Sequence, residues 1–134
     1  MAMRSLEVQK AVVTALKVAP AVAALVGTRV YDQPPQSPTY PYIRIGDVQG
    51  EPWEGTNLAG WSGVMEIDCW SQKPGKVEAQ QIGNAAFNAL HRVDGLTLDA
   101  DYHITGDIIG QSGHTFEEDR ATIVRLRYQF RTHD

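Results

Sequence analysis

Val64-Met65-Glu66-Ile67-Asp68-Cys69-Trp70 alternates without a break. Met65, Ile67 and Cys69 fall on one side of an extended chain, and Val64, Glu66, Asp68 and Trp70 on the other, which is the period of two of a half-buried strand. Ala121 to Thr132 repeats the pattern over a longer run, with Val124, Leu126, Tyr128 and Phe130 set against Arg125, Arg127, Gln129 and Arg131. Strands with one apolar and one charged side belong to an antiparallel sheet covered on a single face. Arg44, Glu66, Asp68, Arg125, Arg127 and Arg131 are too charged for a second hydrophobic layer, so their face meets water or a partner.

The cover comes from helical segments. Ser5 is placed to cap a first helix in which Leu6, Val12 or Val13, and Leu16 lie at helical spacing. Pro20 ends that helix and starts a short second one, which Gly27 stops. Gly75 to His91 carries an apolar stripe of Ala79, Ile82, Ala86, Phe87 and Leu90. Arg29 to Tyr31 is briefly extended and leads into a segment rich in proline (Pro34, Pro35, Pro38, Pro41) that excludes helix and central strand. Tyr42 to Val48 and Tyr102 to Ile109 read as strands. Gln49 to Gly63 shows no periodicity and holds four glycines with Pro52 and Asn57, so it reads as a long loop. Gly110 to Asp119 reads as a second loop. The expected fold is α+β: a mainly antiparallel sheet of four to five strands with two to three helices packed on one face.

Composition bounds the function classes. The chain has 134 residues, 43% of them hydrophobic and 21% charged, which fits one globular domain over residues 1–134. A lone cysteine, Cys69, leaves no intrachain disulfide and no cysteine-based zinc site. Sixteen acidic against twelve basic residues give a net charge of -4, unlike the basic footprint of a general nucleic-acid binder. The longest apolar run, Val18 to Val26, falls short of the roughly 20 residues a membrane span needs. Glu7, Lys10 and Lys17 stand where a signal peptide would be apolar. A soluble protein made inside the cell is expected.

No catalytic constellation emerges. Asp99, Asp101 and His103 would share one face of an extended segment and offer carboxylate and imidazole ligands to a divalent ion. A solvated strand entry of the same composition is the commoner arrangement, and no acid–base partner stands nearby in sequence. His114, Glu117, Glu118 and Asp119 read as a solvated charge run in a loop. Ser112 lacks the strand–turn–helix context of a nucleophile elbow. Cys69 faces the apolar side, where cysteine acts as a small hydrophobe, and His91 suits a helix C-terminus. No catalytic, cofactor-binding or metal residue is assigned, and no cofactor is expected.

Two sets of residues point to interfaces instead. Arg125, Arg127 and Arg131 form an evenly spaced stripe that suits either phosphates or a cross-strand ladder with Glu66 and Asp68, and the acidic net charge favours the ladder or a protein partner. Trp53, Trp61 and Phe116 lie in the two expected loops, where large aromatics without a core imply an assembly surface. A tryptophan folding back as a lid over the sheet is the competing arrangement.

Ala11 to Leu16, Gly27-Thr28-Arg29-Val30-Tyr31-Asp32, Pro35, Pro41-Tyr42-Ile43 and Gly46, followed by Asp68-Cys69-Trp70-Ser71 and the helix from Gly75, complete the picture. Taken as a set, they resemble the tail-terminator (tail-completion) family of long-tailed phages and gene transfer agents, of the lambda tail protein U type. The resemblance spans nearly the whole chain and brings no catalytic motif with it. It implies a structural, non-enzymatic assembly protein in a virion or phage-like particle. Such a protein forms a homohexameric ring at the head-proximal end of the tail tube, stops tube growth, and contacts the tube protein and a head-completion or connector protein. DNA would pass through the ring without sequence-specific binding. A domain of 134 residues is roughly 36 Å across, and six in a ring leave a hole of about that width, enough for a duplex of about 20 Å. Another head–tail connector component, a small metal-dependent hydrolase and a nucleic-acid-binding module are the alternative readings.

Overall fold

The computed structural model describes residues 4–55, 58–91, 93–94, 103–116 and 121–133. The elements run α1 (Ser5–Val18), α2 (Pro20–Val26), β1 (Val30–Tyr31), β2 (Tyr42–Gly55), β3 (Leu58–Ser71), α3 (Val77–Leu90), β4 (Val93–Asp94), β5 (His103–Phe116) and β6 (Ala121–His133). They form one sheet in the order β1-β2-β3-β6-β5-β4. Four long strands pair antiparallel, two-residue β4 pairs antiparallel with β5, and two-residue β1 pairs parallel with β2. This is the expected α+β architecture, with the three helices on one face.

The core forms where the sheet's apolar side meets the helices. Ile43, Ile45, Met65, Ile67 and Cys69 are fully buried, opposite Val8, Val12 and Leu16 of α1 and Ile82 and Leu90 of α3. Gly83 lets α3 approach the sheet closely, because a β-carbon there would stand 3.0 Å from Val124 Cγ1. Gly27 ends α2 at a φ of 63°, a left-handed value that glycine tolerates. At the other end of β3, buried Ser71 donates to Glu78 Oε1 (2.8 Å) and accepts the Lys73 N–H (3.1 Å), tying the strand to the first turn of α3.

Three expectations change. Gln49 to Gly63 is not a loop: β2 and β3 continue as a paired hairpin out to Gly55 and Leu58. Gly110 to Phe116 is strand as well, paired with β6 through Ala121, and a bulge separates Ile108 from Gly110. Glycine and proline read as loop signals, yet here they serve close packing and a sheet edge. Ser5 does not cap α1, since Arg4 holds the cap position; Ser5 turns to the hairpin, and Leu6 is 59% exposed.

Candidate assembly surface

The sheet face turned away from the helices divides into two halves. Near β1, Tyr42 stacks on Trp70 with centroids 5.7 Å apart and planes at 10°. Tyr31 and Tyr40 tilt against the same Tyr42 ring at 5.9 and 5.1 Å. This aromatic group buries Tyr42 although it lies opposite the core, and burial pushes its phenol well above the usual range, with Tyr40 adding to the shift. Sequence reasoning missed the cluster. Its signal was tyrosine or tryptophan at outward positions of strands otherwise charged on that side.

Beside the aromatic group runs the charge ladder. β3 and β6 set Asp68 opposite Arg125 and Glu66 opposite Arg127, as the alternation implied. Asp68 is buried and accepts two hydrogen bonds from Arg125, 2.7 Å from Nε and 3.2 Å from Nη2. Glu66 adds a contact 3.6 Å from Arg125 Nε. The hydrogen bond to Asp68 is the leading cause that raises the guanidinium's pKa, so Arg125 is a committed cation inside a closed pair. Arg44, Arg127 and Arg131 are exposed.

The hairpin end carries the tryptophans. Trp53 lies across Gly60 on the outer face; its Nε1 donates to the Thr132 carbonyl at 3.1 Å, and the Arg131 guanidinium sits 4.4 Å above its ring. Trp61 lies on the helix side over Gly50, and its Nε1 donates to Ser5 Oγ at 2.8 Å. Each ring occupies the space a β-carbon on its glycine would need: at Gly60 that carbon would stand 2.6 Å from Trp53 Nε1, and at Gly50 it would run into Trp61. The expectation of flexible loops around these residues is therefore overturned, because both indoles are bonded to other elements and remain only half-exposed. Phe116 closes β5 opposite Ala121.

Cys69 is fully buried, and burial, reinforced by the Asp68 charge, pushes its thiol far above the usual range, which leaves it protonated and unreactive. Ser112 is exposed on β5 opposite Arg125. His91 accepts the Ile108 N–H through Nδ1 (3.3 Å), which also lies 3.9 Å from Asp107 Oδ1, and its ring stacks on Phe87. Asp99, Asp101 and Glu117 to Asp119 lie outside the described residues, as do the side chains of His103 and His114. Among the described residues no helix is long and apolar enough to cross a membrane. α1 and α2 pass such a test only as a pair bent by 81°.

The family model for tail completion protein gp17 matches residues 10–133. The chain belongs to that family. As a tail completion protein it is a structural component of a phage-type tail, located in the phage-like particle. Its fold is shared by a chain in the virion of a native gene transfer agent (GTA) particle, with a TM-score of 0.82, 23% identity and 94% of each chain covered. No curated protein matches it. In this tail completion protein the surfaces that the described helices leave uncovered are the outer sheet face, the tryptophan-bearing hairpin and the two sheet edges.

Proposed function

We propose that this tail completion protein acts without catalysis as a terminator: six copies form a ring at the head-proximal end of the tail tube, stop its growth and present the head-joining surface. The observation that carries this reading is the family match over residues 10–133, which covers nearly the whole chain. The likeness to a virion subunit over 94% of both chains supports it. In this reading Trp53, Trp61 and Phe116, with Arg125, Arg127 and Arg131, sit at or beside subunit, tube or head contacts. The outer face also fits a lumen that lets DNA slide, because Arg125 is already neutralised by Asp68, and exposed Arg44, Arg127 and Arg131 share that face with Asp47, Glu51 and Glu66.

The test is deletion of the gene in particle-producing cells, followed by negative-stain microscopy of the tails. Tails of uncontrolled length, or tails of normal length without heads, are expected, and both should be repaired by the chain supplied in trans. Normal, head-joined tails in the deletion strain would sink the proposal.

A further inference from the structure

The two long outer strands of the sheet are finished differently. β1 covers β2 only at Ile43 and Arg44, and β4 covers β5 only at Thr105 and Gly106. Among the described residues this leaves free the β2 edge from Ile45 to Gly55 and, beyond the Ile108 N–H that His91 takes, the β5 edge from Ile109 to Phe116. The directions of the backbone groups follow from the pairing. Ile43 N–H bonds Arg29 O, away from β3, and the register then turns Val48, Gly50 and Pro52 outward as well. Ile108 N–H bonds His91, away from β6, and beyond the bulge Gln111, Gly113 and Thr115 point outward.

β2 carries acidic Asp47, Glu51 and Glu54, which oppose its pairing with its own kind, and Pro52, whose missing N–H faces the free side and costs an added strand one donor. From Ile108 to Thr115, β5 has no carboxylate, lysine, arginine or proline. Ile109 at its bulge is 49% exposed. Beside this strand, on the helix side, lies a groove of about 320 Å³ lined by Gln80, Gly83, Asn84, Phe87, Gln111 and Val124. An open backbone edge next to an uncharged groove is what an added strand fills, with backbone bonds to the edge and alternate side chains in the groove.

We infer that this edge is the seam of the ring, and that its occupant is β2 of a second copy of this chain. The inference rests on the ring proposed above. Pairing β2 with β2 would set Asp47, Glu51 and Glu54 against their own copies. Pairing β5 with β5 is two-fold and closes at a dimer, whereas β5 with β2 joins unlike edges and propagates into a ring. β2 and β5 run in opposite directions, so a copy that continues the sheet in the same sense presents its β2 antiparallel to β5. Matching outward groups places Gln111 opposite the second copy's Pro52, Gly113 opposite its Gly50 and Thr115 opposite its Val48. Only the donor missing at Pro52 is lost, and Trp61 above Gly50 comes to the groove beside Phe87. Within one chain Val48 lies level with Ile108, through Met65 and Tyr128. Thr115 lies six paired positions beyond Ile108 once the bulge is discounted, from Tyr128 to Thr122 on β6, so the seam staggers neighbours on the order of 20 Å at the strand rise and tilts the strands to the ring axis as closed sheets require.

The register makes Ser112 of one copy face Glu51 of the next, both on the outer side. Inside one chain β3 and β6 lie between them, and Ser112 is level with Arg44 and not with Glu51, which leaves the two roughly 25 Å apart, too far for a disulfide. Tails are purified from cells making Ser112→Cys, Glu51→Cys or the double variant, oxidised and run on non-reducing gels. The double variant should give a ladder ending in one closed species, and each single variant none. Gln111→Pro removes an outward donor while sparing the bonds to β6. It should lower the yield of head-joined particles at least ten-fold while the isolated subunit still melts cooperatively. A Ser112→Cys dimer without the second cysteine would mean two-fold β5 pairing and overturn the seam. So would rings seen by microscopy that neither cross-link in the double variant nor respond to Gln111→Pro; those results leave the ring standing. Tails that lack the chain altogether would remove the ring itself and the seam with it.

Discussion

The β2–β3 hairpin is built by two different rules along its length. In the half that pairs Tyr42–Ile45 with Ile67–Trp70, apolar side chains alternate and bury against α1 and α3. In the half from Val48 to Gly55 and Leu58 to Met65, the helix-facing side has glycine paired with glycine, Gly50 with Gly63, and proline paired with tryptophan, Pro52 with Trp61. The first half is held by a layer of core. The second is held by two indoles, each crossing a glycine and each hydrogen-bonded to another element. Strand pairing can thus persist where hydrophobic alternation stops, provided large rings take over the space that small residues vacate.

The sharpest way to break this comparison is to remove core from the first half. Ile67 is fully buried, and Ile67→Ala should cost about 2–5 kcal/mol, the usual range for emptying such a site. Urea denaturation of the isolated subunit measures it. A loss under about 1 kcal/mol would mean that this half, too, is held by something other than burial.

In the second half the sign of a substitution is the test. Gly→Ala on an unobstructed strand stabilises by about 0.4–1 kcal/mol through the unfolded chain. At Gly50 the new β-carbon meets Trp61, whose Cε2 would lie 2.8 Å away and whose Nε1 is held by Ser5. Gly50→Ala should therefore destabilise by about 1–3 kcal/mol, the cost of forcing atoms into filled space. In a Trp61→Ala background the same change should turn neutral or stabilising, a coupling that a double-mutant cycle reads directly. Equal effects in both backgrounds would show that the indole does not hold this half.

The same division explains what the sequence disclosed. Val64 to Trp70 and Ala121 to Thr132 announced their strands because period-two alternation is a direct image of one buried face, and the Asp68–Arg125 pairing followed from it. Gln49 to Gly63 concealed its strand because its order comes from contacts remote in sequence, such as Trp53 with Thr132 and Trp61 with Ser5. Local pattern carries no trace of such partners. Of the surface residues, the arginine ladder was legible as geometry and the tryptophans as large rings in need of a partner. The lid arrangement weighed for one tryptophan describes both, each pinned to the sheet or a helix. The free β5 edge was hidden because Gly110 and Gly113 read as loop.

The smallest expected effect sharpens the comparison on the outer face, where adjacent rows of the ladder differ. Asp68 is 2% exposed and grips Arg125 with two hydrogen bonds, whereas Glu66 and Arg127 face each other in register, with Arg127 exposed. Even a paired surface charge contributes only about 0–1 kcal/mol, and the Glu66 carboxylate contacts Arg125, so Arg127→Glu should leave the subunit's melting point within a few degrees of the parent. The same variant decides whether the stripe serves DNA. With Arg125 engaged by Asp68, few phosphates would be neutralised, so duplex DNA should bind weakly, without sequence preference, and release by physiological salt of about 0.15 M. Titration of a labelled duplex by fluorescence anisotropy measures this. Submicromolar binding at that salt, abolished in Arg127→Glu with the fold intact, would show that the open row binds phosphate and would give the outer face a nucleic-acid role that the closed row does not share.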